Sequence, residues 1–241
     1  MYTKNKIRPL HFALLGVLTL ALLSPLAAQA GADDEDNNFI RFGGERVIFH
    51  DKNAGFQGPG IPAGANLETQ TEDLSTAYFS YARGLTPHLE LEAVLGQPPS
   101  FKVHLRGPAS VGTAPYNGQP ASSGRQMAPA LTVNYKFNEP GDFYRPYLGV
   151  GLVYSHFYDI QGSSATNLVN GGPTSLTYSD SLGLLVVAGV SFRLMDHWRA
   201  NFSVTHADVR PTVTLHTLGV DRRNSYDLGP VVFTGAFSYG F

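Results

Sequence analysis

The chain has 241 residues, no cysteine and a formal net charge of −2. That balance excludes a nucleic-acid partner, whose phosphates require clustered Lys and Arg, and the missing cysteines exclude a disulfide framework. Mean hydropathy is −0.09. Beyond residue 30 no run of eighteen apolar residues occurs, so helices are not expected to cross a membrane.

Residues 1–30 read as a cleaved signal peptide. Lys4, Lys6 and Arg8 supply a cationic start, residues 10–26 are mostly apolar, and Ala28-Gln29-Ala30 has the small-x-small form that signal peptidase accepts. Asp33-Asp34-Glu35-Asp36 lacks the spaced carboxylates and glycine of a calcium loop and reads as a solvated tail. Residues 31–241 then form one domain.

Period-two alternation predicts eight strands in that domain. The first, over residues 39–49, is interrupted by Gly43-Gly44, which the pattern reads as a bulge. In the second, Ala77, Phe79 and Tyr81 oppose Tyr78, Ser80 and Ala82. The third sets Leu89, Leu91, Ala93 and Leu95 against Glu90, Glu92, Val94 and Gly96. The fourth and fifth alternate over residues 130–137 and 147–154. The sixth is the clearest, with Leu182, Leu184, Val186, Ala188, Val190, Phe192 and Leu194 forming one apolar face. The seventh follows Trp198, Ala200, Phe202 and Val204, and the eighth Phe233, Gly235, Phe237, Tyr239 and Phe241.

Connections alternate between short turns (84–87, 138–144, 194–197) and long segments (50–73, 98–126, 159–180, 211–227). The long ones are rich in Gly, Pro, Ser and Asn and read as mobile exposed loops. Short periplasmic turns and long external loops characterise outer-membrane barrels. The expected fold is therefore all-β, an eight-stranded antiparallel transmembrane barrel with both termini on the periplasmic side. A secreted lipocalin-like barrel would turn its apolar face inward. Against it stand Tyr81, Tyr135, Tyr154, Trp198 and Tyr239 near the ends of the apolar faces, where a lipid interface favours them. Phe237, Tyr239 and Phe241 also form an alternating aromatic terminus that reads as a signal for the barrel-assembly machinery.

If the apolar faces meet membrane lipid, Glu90, Glu92, Lys136, Arg145, Arg193 and Arg199 point inward near the short turns. Further up, the inward residues are Val94, Tyr147, Val153, Leu185 and Val187. The expected lumen is apolar toward the outside and plugged by charge toward the periplasm, and eight strands leave it too narrow for an aqueous porin. The histidines are scattered without ligand spacing, so no metal or other cofactor is implied. Ser203 has the opposite parity to His206 and Asp208, which disfavours a catalytic triad. No enzyme activity is expected.

Two segments carry a resemblance. Pro129-Ala130-Leu131 with Tyr135-Lys136-Phe137, followed by Pro146-Tyr147-Leu148-Gly149-Val150-Gly151-Leu152-Val153-Tyr154-Ser155-His156-Phe157, resembles the OmpW family of small outer-membrane proteins. Leu91-Glu92-Ala93-Val94-Leu95-Gly96-Gln97-Pro98 with His104 is similar to the segment leaving that family's third strand. The chain departs from the pattern at Ala128, where one proline of a pair is usual, and at Pro98-Pro99-Ser100-Phe101. The resemblance implies an eight-stranded barrel with a narrow, largely apolar lumen, associated with passage of small hydrophobic molecules. Such a channel is the leading functional expectation. A structural or adhesive barrel acting through its loops would instead pack charge along the full height of the lumen. A lipid-modifying enzyme would need a serine, a histidine and an acid on one outward rim.

Overall fold

The computed structural model describes residues 36–53, 68–107, 110–111 and 114–241; the expected signal peptide lies outside them. The chain forms β1 (Asn38–Ile48), β2 (Lys52–Asn53), β3 (Glu68–Thr71), β4 (Leu74–Gly84), β5 (Leu89–Val94) and β6 (Ser100–Arg106). It continues through β7 (Ser110–Val111), β8 (Ala114–Pro115), β9 (Pro120–Met127), β10 (Ala130–Lys136), β11 (Tyr144–Gly162) and α1 (Ser164–Asn170). The last elements are β12 (Thr174–Tyr178), β13 (Ser181–Arg193), β14 (Trp198–Ala207), β15 (Thr212–Thr217), β16 (Val220–Asp227) and β17 (Val231–Gly240).

Eight of these strands close into an antiparallel barrel in the order β1, β4, β5, β10, β11, β13, β14, β17. Closure comes from β17 pairing with β1, from Phe39 opposite Gly240 to Ile48 opposite Val231. Inside lipid no water can satisfy a free edge, so this ladder is what allows the sheet to span. The predicted parity holds. Leu182 (70% exposed), Leu184 (69%) and Val150 (63%) stand on the outer surface among a band of apolar side chains, which only lipid would make favourable. Phe42, Trp198 and Tyr239 cluster beside the 194–197 turn, with ring centroids 6.1 and 5.2 Å apart. Phe237 and Phe241 share that outward face. Gly43-Gly44 forms no bulge, because β1 keeps one register against both neighbours. Its glycine instead serves close packing: a Cβ at Gly43 would collide with the Gly235 carbonyl and Ala236.

The long connections correct the expectation of mobile loops, for their described parts build β-structure above the barrel. β11 continues past the barrel wall and pairs with β9, which pairs with β6, and β6 with β3. A second sheet runs β12-β15-β16-β2. Short period-two runs explain this: in Thr212–Thr217, Val213 and Leu215 face inward between Thr212, Thr214 and His216. Phe101, Phe157 and Tyr178 pack ring against ring at 5.5–5.9 Å, and Val103, Val213, Leu215 and Tyr226 complete an apolar core. The hydroxyls buried there are paired, Tyr226 with Thr69 Oγ1 at 2.5 Å and Tyr178 with Ser122 Oγ at 3.1 Å. Burial pushes the Tyr178 hydroxyl up to about 12 and that of Tyr226 higher, so both remain protonated. α1 begins where the Ser163 hydroxyl accepts from the Thr166 N–H at 3.1 Å and ends at Gly171, whose φ of 78° is left-handed.

Orientation is testable on intact cells. Asn117→Cys, Ser164→Cys and Arg223→Cys are expected to react with a membrane-impermeant maleimide, and Gly141→Cys, in the β10–β11 turn, is not. Labelling of the Gly141 variant from outside would reverse the topology.

Candidate functional site in the barrel lumen

The inward parity of β1, β5 and β10 converges on four charges near the periplasmic end. The Arg41 guanidinium donates to Glu90 Oε1 and Glu92 Oε2, each at 2.7 Å, and Lys136 Nζ also pairs with Glu90. Arg41 is 3% exposed and Glu90 2%. The Tyr78 hydroxyl and Ser80 Oγ donate to Glu92 Oε1 at 2.5 and 2.6 Å, and Asn134 Nδ2 donates to Glu92 Oε2 at 3.1 Å. Two cations and two carboxylates thus balance while hydroxyl and amide groups fill remaining lone pairs, the condition under which buried charge is tolerated. Below, Lys136 Nζ and the Arg199 guanidinium lie over the Phe39 ring, 5.1 and 5.5 Å from its centroid.

The predicted charge set is partly rearranged. Glu90, Glu92 and Lys136 meet as expected. Arg145 is buried near the turns and donates to the Pro87 carbonyl at 2.5 Å. Arg193 does not enter the lumen: at the last residue of β13, its side chain is 37% exposed and reaches Asp196 and the Gly141 carbonyl on the rim. Arg41, the residue that bridges both glutamates, was not anticipated. Its signal was present, since the outward residues Ile40 and Phe42 place Phe39, Arg41 and Glu45 inward.

Above the ion cluster lies a cavity of about 160 Å³. All five predicted lumen residues (Val94, Tyr147, Val153, Leu185 and Val187) line it. By strand register its lower part also carries Tyr78, Ser203 and Thr234, and its upper part Val47, Phe49 and Ala207. The upper lumen is therefore mixed, not uniformly apolar, since Gln126, Ser155 and Thr205 line it as well. The Tyr147 ring lies in the space that Gly189 leaves by lacking a Cβ. Ser203 faces this cavity while His206 stands outward, so no triad is assembled from them.

One stretch of wall differs from the rest. β5 pairs with β10 only as far as Val94 opposite Ala130. Beyond that, the Leu95 and Gln97 N–H groups donate to Phe79 and Ala77 on β4, and the next tie to β9 is the Gln126 N–H to the Pro99 carbonyl at 3.2 Å. Among the described residues no backbone hydrogen bond joins residues 95–98 to 127–129. Pro98 and Pro129 supply no N–H there. Gln97, Pro98 and Pro99 line the inner cavity and also a groove on the outer surface, with Ser75, Thr76, Ala77, Ser100 and Arg125.

The sequence pattern of the OmpW family matches residues 36–241, the whole of this barrel and its extension. The chain belongs to the OmpW family. The chain is 29% identical over 227 residues to outer membrane protein W of Vibrio cholerae, covering 94% of this chain and 97% of that protein. Outer membrane protein W of Escherichia coli is 24% identical over 94% of the chain and 99% of its own length. Among solved structures, OprG of Pseudomonas aeruginosa superposes with a TM-score of 0.75 at 21% identity, covering 86% of this chain and 96% of OprG. AlkL in lipid bilayers gives 0.62 at 18% identity, covering 89% and 94%. At these identities the structural likeness shows the fold. This OmpW-family protein is thus a barrel of the bacterial outer membrane, in contact with lipid through the apolar band.

Removing one member of a buried ionic pair costs about 3–5 kcal/mol, because its partner is left uncompensated. Arg41→Met is expected to lower stability by about that amount in thermal or denaturant unfolding, and Arg193→Met by about 0.5 kcal/mol or less. Equal effects would show that Arg41 does not hold the cluster together.

Proposed function

We propose that the barrel is a narrow passage through which small hydrophobic molecules move passively from outside into the outer membrane. The observation that carries this reading is a cavity closed below by the ion cluster and bordered sideways by wall residues that also line an outer groove. Within the cavity an apolar solute meets Val47, Phe49, Leu185 and Val187. Travelling straight on would bring an apolar molecule against paired charges whose desolvation and hydrogen bonds it cannot replace. Leaving through the unladdered wall at Gln97-Pro98-Pro99 breaks no backbone hydrogen bond between residues 95–98 and 127–129. The paired charges occupy the lower lumen and do not continue through the upper part, which favours passage over a purely structural barrel.

In proteoliposomes, Leu185→Arg and Val187→Arg are expected to reduce uptake of a neutral apolar solute by about tenfold or more, since a charge in the constriction must be desolvated as the solute passes. Folding of each variant is checked by heat-dependent gel mobility. The pair Glu90→Ala with Glu92→Ala is expected to raise single-channel ionic conductance. Unchanged apolar uptake in both folded arginine variants would remove the lumen as the route.

A further inference from the structure

Among the described residues Glu45 is the one carboxylate lining the cavity that the ion cluster does not use. β1 places it inward, opposite Thr76 on β4 and Thr234 on β17. It therefore stands at the height of the wall break, because the same register that pairs Ser80 with Val94 brings Thr76 level with Pro98. Its Oε1 lies 3.8 Å from where a Cβ on Gly96 would be, so the carboxylate overhangs the chain leaving β5. The nearby Thr76 hydroxyl is already committed, donating to the Gln97 carbonyl at 3.0 Å. Glu92, the other acid on the cavity wall, is saturated by Arg41, Tyr78, Ser80 and Asn134. Among the described residues Glu45 makes no hydrogen bond and no ion pair.

Among the described residues no lysine or arginine lines the cavity, and above Glu45 lie Val47, Phe49 and Leu74. A carboxylate with an apolar wall above it and no partner is a poor packing residue, since its desolvation is uncompensated. It is a good recognition group, because a charge-assisted hydrogen bond gains strength where water is scarce. We propose that Glu45 makes this passage selective for small apolar molecules carrying one protonated amine. The ammonium rests on Glu45 beside Gly96 and the hydrocarbon part lies against Val47, Leu185 and Val187. The same carboxylate repels anionic amphiphiles. The inference rests on the cavity being the passage, and names which solutes it prefers.

The test uses the folded full-length barrel in nanodiscs of zwitterionic lipid, with barrel-free discs as the partition control. Three probes of equal chain length are compared: n-hexylamine, n-hexanol and n-hexanoate. Binding is read from the methyl resonances of Leu185 and Val187. Hexylamine is expected to bind about tenfold more tightly than hexanol, and hexanoate more weakly than either. In Glu45→Gln, and in Glu45→Ala as a second variant, the amine-to-alcohol ratio should fall to about one. If hexanol shifts these methyls but hexylamine binds no better, or the ratio survives both substitutions, the role of Glu45 is overturned while the passage stands. If none of the probes shifts Leu185 or Val187 in the wild-type protein, the cavity is not a passage and both readings fall.

Discussion

Every backbone N–H and C=O inside a bilayer must find a partner within the protein, and this chain meets that demand by joining its last strand to its first. The β17–β1 ladder fixes more than closure. Once it is in register, each strand has one face in lipid and one in the lumen, with no freedom to slip by a single residue. Leu182, Leu184 and Val186 can then be apolar because they are outside, and Arg41, Glu90 and Lys136 can be charged because they are inside. Arg41 of β1, Glu90 and Glu92 of β5 and Lys136 of β10 would be costly on the opposite parity. A shift of one residue would carry four charges into hydrocarbon.

The same demand gives the one irregular stretch of wall its meaning. Among the described residues the barrel ladder is continuous elsewhere, but no backbone hydrogen bond joins residues 95–98 to 127–129, where Pro98 and Pro129 supply no N–H. The neighbouring N–H groups of Leu95 and Gln97 are not lost, since they turn to β4. The wall therefore keeps its ladder to β4 while lacking one on the other side. Together with an ionic floor that is costly to disturb, this places the softest boundary of the cavity at its side. The proposed passage rests on where hydrogen bonds are present and where they are not.

Much of this was legible in the residues. The sixth strand could be read directly, because seven apolar positions alternate without a break, and the five apolar lumen residues followed from the same parity. Arg41 was obscured by Gly43-Gly44, which looked like an interruption although the strand runs through it in register. Arg193 had the right parity but sits on the last rung, where a long side chain turns to the rim. The extension was hidden for a different reason. Its strands are short, hydroxyl-rich and punctuated by glycine and proline, and β9 finds its partners in β6 and in the far part of β11. The wall break depends on two proline-containing segments some thirty residues apart lying side by side, which no local pattern reveals.

The central claim is that a solute occupies the cavity and leaves through the wall above the ion cluster. A diazirine-bearing apolar probe, photolysed in proteoliposomes and mapped by mass spectrometry, tests it most directly. Adducts are expected on Leu185 and Val187, on Gln97 and Pro98, and on Ala77 at the outer groove. Adducts on Phe39 and Arg199, below the cluster, with none at the Gln97–Pro98 wall, would contradict it.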